Sequence, residues 1–140
     1  MKKNIVLLSL AIILVLGVGL FMFLNGSQNE EAIESFKIEA KALANKFDQE
    51  SLDHDDYHFT SQYKLGLTGY VVIADEIGKI IEHPNHDNNG RQIPIPELVS
   101  AIEVAGDEDQ FLTYEFNGEE KMAYVHKSGQ VYLIVLNDLK

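Results

Sequence analysis

The chain has 140 residues, a formal net charge of −11 and no cysteine, so disulfides and thiolate metal sites are excluded. Lys2 and Lys3 precede every acidic residue. The remainder therefore carries nine of the 11 basic residues against all 22 acidic ones, a formal net charge of −13, which argues against nucleic acid and anionic lipid surfaces as partners.

The first element is IVLLSLAIILVLGVGLFMFL, residues 5–24, with Ser9 its one polar side chain and no charge. As a helix rising 1.5 Å per residue it is about 30 Å long, enough to cross a bilayer core. Cleavable signal peptides carry an apolar region of about 7–15 residues followed by a small-x-small site. Here the run is longer, and Gly17-Val18-Gly19 lies inside it, so an uncleaved signal anchor is expected. The basic residues before the span place the N-terminus in the cytoplasm and the rest outside, periplasmic or extracellular. Residues 1–27 read as anchor and junction, and residues 28–140 as one small extracytoplasmic domain.

NEEAIESFKIEAKALANKFDQES reads as a long helix, because Ile33, Phe36, Ala40, Leu43 and Phe47 recur at alternating spacings of three and four. That apolar stripe suits packing on the chain's own sheet or on a second copy, and so offers a homodimer face. In residues 51–68, Leu52, Tyr57, Phe59 and Tyr63 suit a second short helix ended by Gly66. Strands follow. Tyr70–Ala74 and Lys79–His83 flank Asp75-Glu76-Ile77-Gly78, which has turn chemistry. Pro84 stops the second strand, and HPNHDNNGRQIP is a polar loop in which Gly90 suits positive φ. Pro94 and Pro96 announce the helix PELVSAIEVAG, closed by Gly106. QFLTYEF and EEKMAYVH flank Asn117-Gly118, the strongest hairpin signal in the chain, and a turn near Ser128-Gly129 leads into QVYLIVLN. The order is helix, helix, two strands, helix, three strands. It fits an α+β domain: a five-stranded antiparallel sheet with the long helix on one face and the loop–helix segment on the other.

GYVVIADEIGKIIEHPN resembles the Gly-Tyr–apolar–Asp-x-x-Gly–apolar–His-Pro stretch of Cache domains, the PAS-like extracytoplasmic sensors of bacterial chemoreceptors and sensor kinases. FLTYEFNGEEKMAYVHKSGQVYLIVLN resembles their closing three strands, and the apolar segment running into a long helix matches their opening. The likeness covers most of residues 28–138. It implies a single Cache fold, with sheet order 2-1-5-4-3 and a small-molecule pocket between the sheet and residues 84–105. It also implies a role in signal transduction or chemotaxis. A receptor would continue past the last strand into a second membrane helix and an output region, whereas this chain ends at Lys140, so a free-standing anchored form is expected. The family's amino-acid motif, a Tyr followed by Arg-x-Trp-Tyr, has no counterpart, since the chain has no Trp and Arg91 is its one Arg.

The polar residues near the implied pocket are Tyr70, His83, Arg91, Tyr114, Lys121, Tyr124 and His126. An anionic or zwitterionic small molecule would take its positive partner from Arg91 or Lys121 and hydrogen bonds from tyrosine hydroxyls. Lys121 and Tyr124 are three apart, so a regular strand turns them to opposite faces. Tyr114, Phe116, Met122, Tyr124 and His126 are candidates to share faces across the hairpin. A strand tyrosine is more often core with its hydroxyl at the rim. His54 and His58, four apart, and His83, His86 and Asp87 have metal-ligand residue types, but solvated histidines on an acidic surface are the better reading, and neither metal nor cofactor is expected. No nucleophile elbow, phosphate loop or catalytic cysteine is present, so an enzyme is not expected. Two classes of function remain. One is an anchored sensor that binds a small molecule. The other is an anchored protein-interaction module with a degenerate Cache fold and no such ligand.

Overall fold

The computed structural model describes residues 29–50, 60, 63, 65 and 68–139. Contacts divide the chain into two compact units, Met1–Ala32 and Ile33–Lys140. Of the first, the described residues 29–32 are helical. Among the described residues no helix is long and apolar enough to cross a membrane. The expected anchor at residues 5–24, the second short helix of residues 51–68 (apart from isolated positions) and the His54/His58 pair lie outside them.

Residues 29–50 are helical and form α1. In the second unit its Phe36, Ala40, Ala44 and Phe47 are buried, with Ile33 and Leu43 packed alongside. This is the stripe read from the sequence, widened by Ala44. It covers one face of the sheet, meeting Val71, Ile73, Met122, Tyr124, Leu133 and Val135.

The strands are β1 (Tyr70–Ala74), β2 (Ile80–Glu82), β3 (Gln110–Phe116), β4 (Glu119–Ser128) and β5 (Val131–Asp138). They form a five-stranded antiparallel sheet in the order β2-β1-β5-β4-β3. The last strand is therefore central, paired with β1 from Tyr70↔Leu136 and with β4 from Lys121↔Asp138. Its five successive residues from Tyr132 to Leu136 are all buried, as a strand covered on both faces requires. Its alternate residues, with Val72, Ala123 and Val125, face a second core beneath α2 (Pro96–Val104), which contributes Leu98 and Ile102. Pro96 opens α2 at a position where a missing N–H costs nothing. Asn117 and Gly118, at φ 56° and 79°, form the tight turn between β3 and β4, a conformation that Asn-Gly adopts readily.

Two local devices set the site. The first is the β1–β2 turn. Asp75 Oδ1 accepts hydrogen bonds from the Ile77 and Lys79 amides at 3.1 and 2.8 Å, and Gly78 takes φ 77°. Gly78 also receives the incoming loop: its carbonyl accepts from the Ile93 amide at 2.9 Å, while Gln92 Nε2 donates to the Ile77 carbonyl at 2.6 Å. A Cβ on Gly78 would stand 2.9 Å from Gln92 Nε2 and 3.2 Å from Val99 of α2. Gly78→Ala is therefore expected to destabilise by about 1–3 kcal/mol from backbone strain alone, plus the cost of displacing Gln92. Gly90→Ala shares the positive φ but meets nothing within 4 Å, so it should cost less. Paired denaturant titrations compare the two directly.

The second device is a bulge. Ile73 pairs with Glu82 and Ala74 with Ile80, so Ile81 is an extra residue in β2. Ile81 packs with the α1-side core. The bulge shifts the alternation by one, and His83 returns to the face of Ile80.

Candidate functional site

On the face of the sheet away from α1, a cavity of about 410 Å³ lies beneath residues 88–95 and the start of α2. The volume falls in the range of small-molecule sites. Tyr70 and Val72 of β1, Tyr114 of β3 and Lys121 of β4 line the sheet side, and Arg91, Ile93, Ile95 and Leu98 line the other. The loop is anchored over β2 by backbone pairing. The Ile80 amide donates to the Arg91 carbonyl at 2.8 Å, and the Gly90 amide donates to the Ile80 carbonyl at 2.7 Å. Inside the loop, Asn85 caps the short 3₁₀ turn His86–Asn88, and Asn89 Oδ1 accepts from the His83 amide at 2.9 Å. This fixes the path from the His-Pro corner to Arg91.

Five of the seven sequence-selected residues, Tyr70, His83, Arg91, Tyr114 and Lys121, line this cavity. Tyr124 and His126 do not. They correct the expectation that Tyr114 and Phe116 share a face with Met122, Tyr124 and His126. Tyr114 pairs across the hairpin with Lys121, and Phe111 with Tyr124. Strand alternation then turns Met122, Tyr124 and His126 toward α1.

The polar groups are unequal in what they offer a ligand. His83 Nδ1 accepts from the Asn85 amide at 2.9 Å, so the neutral ring carries its proton on Nε2. Burial lowers its pKa. The imidazole stacks at a tilt on Tyr70, ring centres 5.3 Å apart. The Tyr70 hydroxyl is raised by burial, the neighbouring Lys121 charge opposing the shift, and Tyr114 is raised strongly, again by burial first. Both phenols stay protonated and able to donate. Lys121 Nζ is committed, 2.6 Å from Asp138 and 3.3 Å from Glu119. Its pKa is raised chiefly by the Asp138 hydrogen bond. Arg91 differs: among the described residues its guanidinium has no ion pair.

Reading mainly polar residues passed over most of the apolar part of the wall, namely Val72, Ile80, Ile93, Pro94, Ile95 and Leu98. Most of these fall in or beside the loop–helix segment already assigned as the pocket's far side. Among the described residues lining the cavity none is an Asp or a Glu. His83, His86 and Asp87 form no metal cage, and among the described residues no group of three His, Asp or Glu side chains could hold a metal ion.

No family model matches the sequence, and no curated protein matches it. Solved structures do. The chain is similar to a methyl-accepting chemotaxis protein from Vibrio parahaemolyticus RIMD 2210633, with 14% identity, a TM-score of 0.62 and coverage of 83% of this chain and 97% of that one. It is similar to a periplasmic sensor domain of a chemotaxis protein, with 12% identity, a TM-score of 0.57 and coverage of 79% and 97%. The ligand-binding domain of Mlp24 with asparagine shares 21% identity over 57% of this chain at a TM-score of 0.47. This chain spans about a third of that domain's length, 32%. The fold is thus that of the Cache-type periplasmic sensor domains of chemoreceptors.

Proposed function

We propose that the chain is a membrane-anchored, extracytoplasmic Cache sensor module that binds a small molecule in the cavity beneath residues 88–95. The observation that carries this reading is the cavity itself. It is a mostly apolar space of about 410 Å³ in a sensor fold, lined by two cations, of which Lys121 is ion-paired and Arg91, among the described residues, is not. In a domain of such negative charge, an unpaired guanidinium beside an apolar space favours an anion. Phenol donors from Tyr70 and Tyr114 add to that preference. Of the anionic and zwitterionic ligands that Arg91 could serve, the wall favours the plain acid. With no carboxylate among the described residues lining the cavity, an ammonium group would find no direct partner in the wall, only the more distant charges of Asp138 and Glu97. The ligand class is a small carboxylate with an apolar body. The assigned roles are Arg91 for the charge, Tyr70 and Tyr114 as hydrogen-bond donors, His83 as an Nε2–H donor at the rim, and Lys121 as a structural cation held by Asp138. Residues 5–24 tether the module, and ligand binding acts on α1, the element next to the tether in sequence. The sensor fold supports a binding role without catalysis.

The test is a thermal-shift screen on the full chain in mild detergent, with small aliphatic and aromatic carboxylates, matched amino acids, amines and purines. A carboxylate at about 100 times its Kd should stabilise by about 2.7 kcal/mol, raising Tm by roughly 10 °C. The amine with the same body should give no shift. If no carboxylate shifts the transition, or the amines shift it as far, the reading fails.

A further inference from the structure

On the opposite face of the sheet, a histidine is held between two carboxylates from different elements. His126 Nε2 lies 3.0 Å from both oxygens of Asp48, in the last turns of α1, and His126 Nδ1 lies 2.6 Å from Asp109 Oδ1, in the segment leading into β3. The Tyr124 hydroxyl donates to the other Asp109 oxygen. A neutral imidazole has one N–H and cannot donate to both carboxylates, whereas the imidazolium can. Among the described residues neither Asp48 nor Asp109 pairs with a lysine or arginine. Among the described residues the imidazolium is thus their one cation. On the neighbouring central strand, His126 is paired with Leu133, which brings no charge. The His126 side chain is 15% exposed, against 45% and 29% for Asp48 and Asp109. Water therefore reaches the carboxylates while the ring stays mostly covered.

We propose that His126 is a proton-operated latch that fastens the C-terminal end of α1 to the sheet and releases it as the pH rises. The ring joins three pieces of chain distant in sequence: α1 at Asp48, β4 at His126 and the entry to β3 at Asp109. Deprotonation removes one of its two N–H donors and its charge together. One carboxylate is then left facing an imidazole lone pair, and the Asp48 contact, on the more exposed side, gives way. Burial opposes the charged form, but the hydrogen bonds and charges of Asp109 and Asp48 outweigh it, so the folded pKa stands above the usual 6.5. A histidine raised in this way contributes its full stabilisation below the unfolded value, and loses it as pH rises through the folded one. Release therefore belongs above pH 6.5, the ordinary imidazole value. It is independent of the cavity reading, since it needs no ligand.

The experiment is a pH titration of the full chain in mild detergent, following the His126 ring signals by NMR and amide protection in residues 44–50, corrected for intrinsic exchange. The expected result is a His126 midpoint above 6.5, with protection of residues 44–50 falling at least several-fold through the same midpoint. His126→Gln should abolish that step. Asp48→Asn, at a half-exposed position, should lower the midpoint while the domain stays folded. A wild-type midpoint at or below 6.5 overturns the proposal. So does protection of residues 44–50 that ignores the His126 titration, or a step that persists in His126→Gln.

Discussion

Ile134→Ala is expected to lower the unfolding free energy by about 2–5 kcal/mol, a large share of the roughly 5–15 kcal/mol that holds a small domain together. Ile134 is fully buried in the central strand, pairs with Val72 of β1 and Val125 of β4, and packs in the core beneath α2. Its strand partners on both sides are held by sheet hydrogen bonds, so they can shift little to fill the space, and the cost should sit in the upper part of the range. The contrast is Ile38→Ala. Ile38 lies on α1 at 70% exposure, and the change should stay within about 0.5 kcal/mol. Urea titrations of both variants measure the difference. A small Ile134→Ala effect would mean that β5 is not the covered centre of the sheet.

Arg91→Ala is expected to weaken carboxylate binding about 10- to 100-fold, because a charge-assisted hydrogen bond contributes roughly 1.5–3 kcal/mol. Stability should hardly change, because Arg91 is exposed and its structural bonds run through its backbone. Lys121→Met gives the discriminating comparison. It removes a cation from the same cavity, but one already facing Asp138 and Glu119. Its effect should therefore fall on stability more than on affinity, by leaving a partly buried Asp138 without that partner. Calorimetry with a carboxylate from the screen reads both. Equal affinity losses in the two variants would return the charge role to Lys121 as well.

The fold was legible where the sequence states a period. VYLIVL admits a strand covered on both faces, the stripe from Ile33 to Phe47 admits a helix on a sheet, and Asn117-Gly118 closes a hairpin. Strand alternation also carried much of the site. Parity separates Lys121 from Tyr124, whereas placing Tyr114 beside Lys121 needed the register of the hairpin. His83 depends on the Ile81 bulge, an extra residue that pattern cannot foresee, because Ile80 and Ile81 are both apolar. Arg91 and Lys121 looked equivalent in the sequence. The choice between them rests on Asp138, 17 residues beyond Lys121 and brought beside it only by strand pairing. Asp48 and Asp109 stand 78 and 17 residues from His126. No local spacing joins them, so the latch was invisible until the chain was folded.

The most direct measurement is an amide NMR titration of the full chain with a carboxylate that shifts its melting transition. If the cavity is the binding site, the largest shift changes fall on Tyr70, on residues 88–95, and on Tyr114 and Lys121. Residues 44–48, Tyr124 and His126 change less, and Arg91→Ala moves the whole set to higher ligand concentration. Changes concentrated on the α1 face, or a saturating ligand that leaves residues 88–95 untouched, would contradict the account.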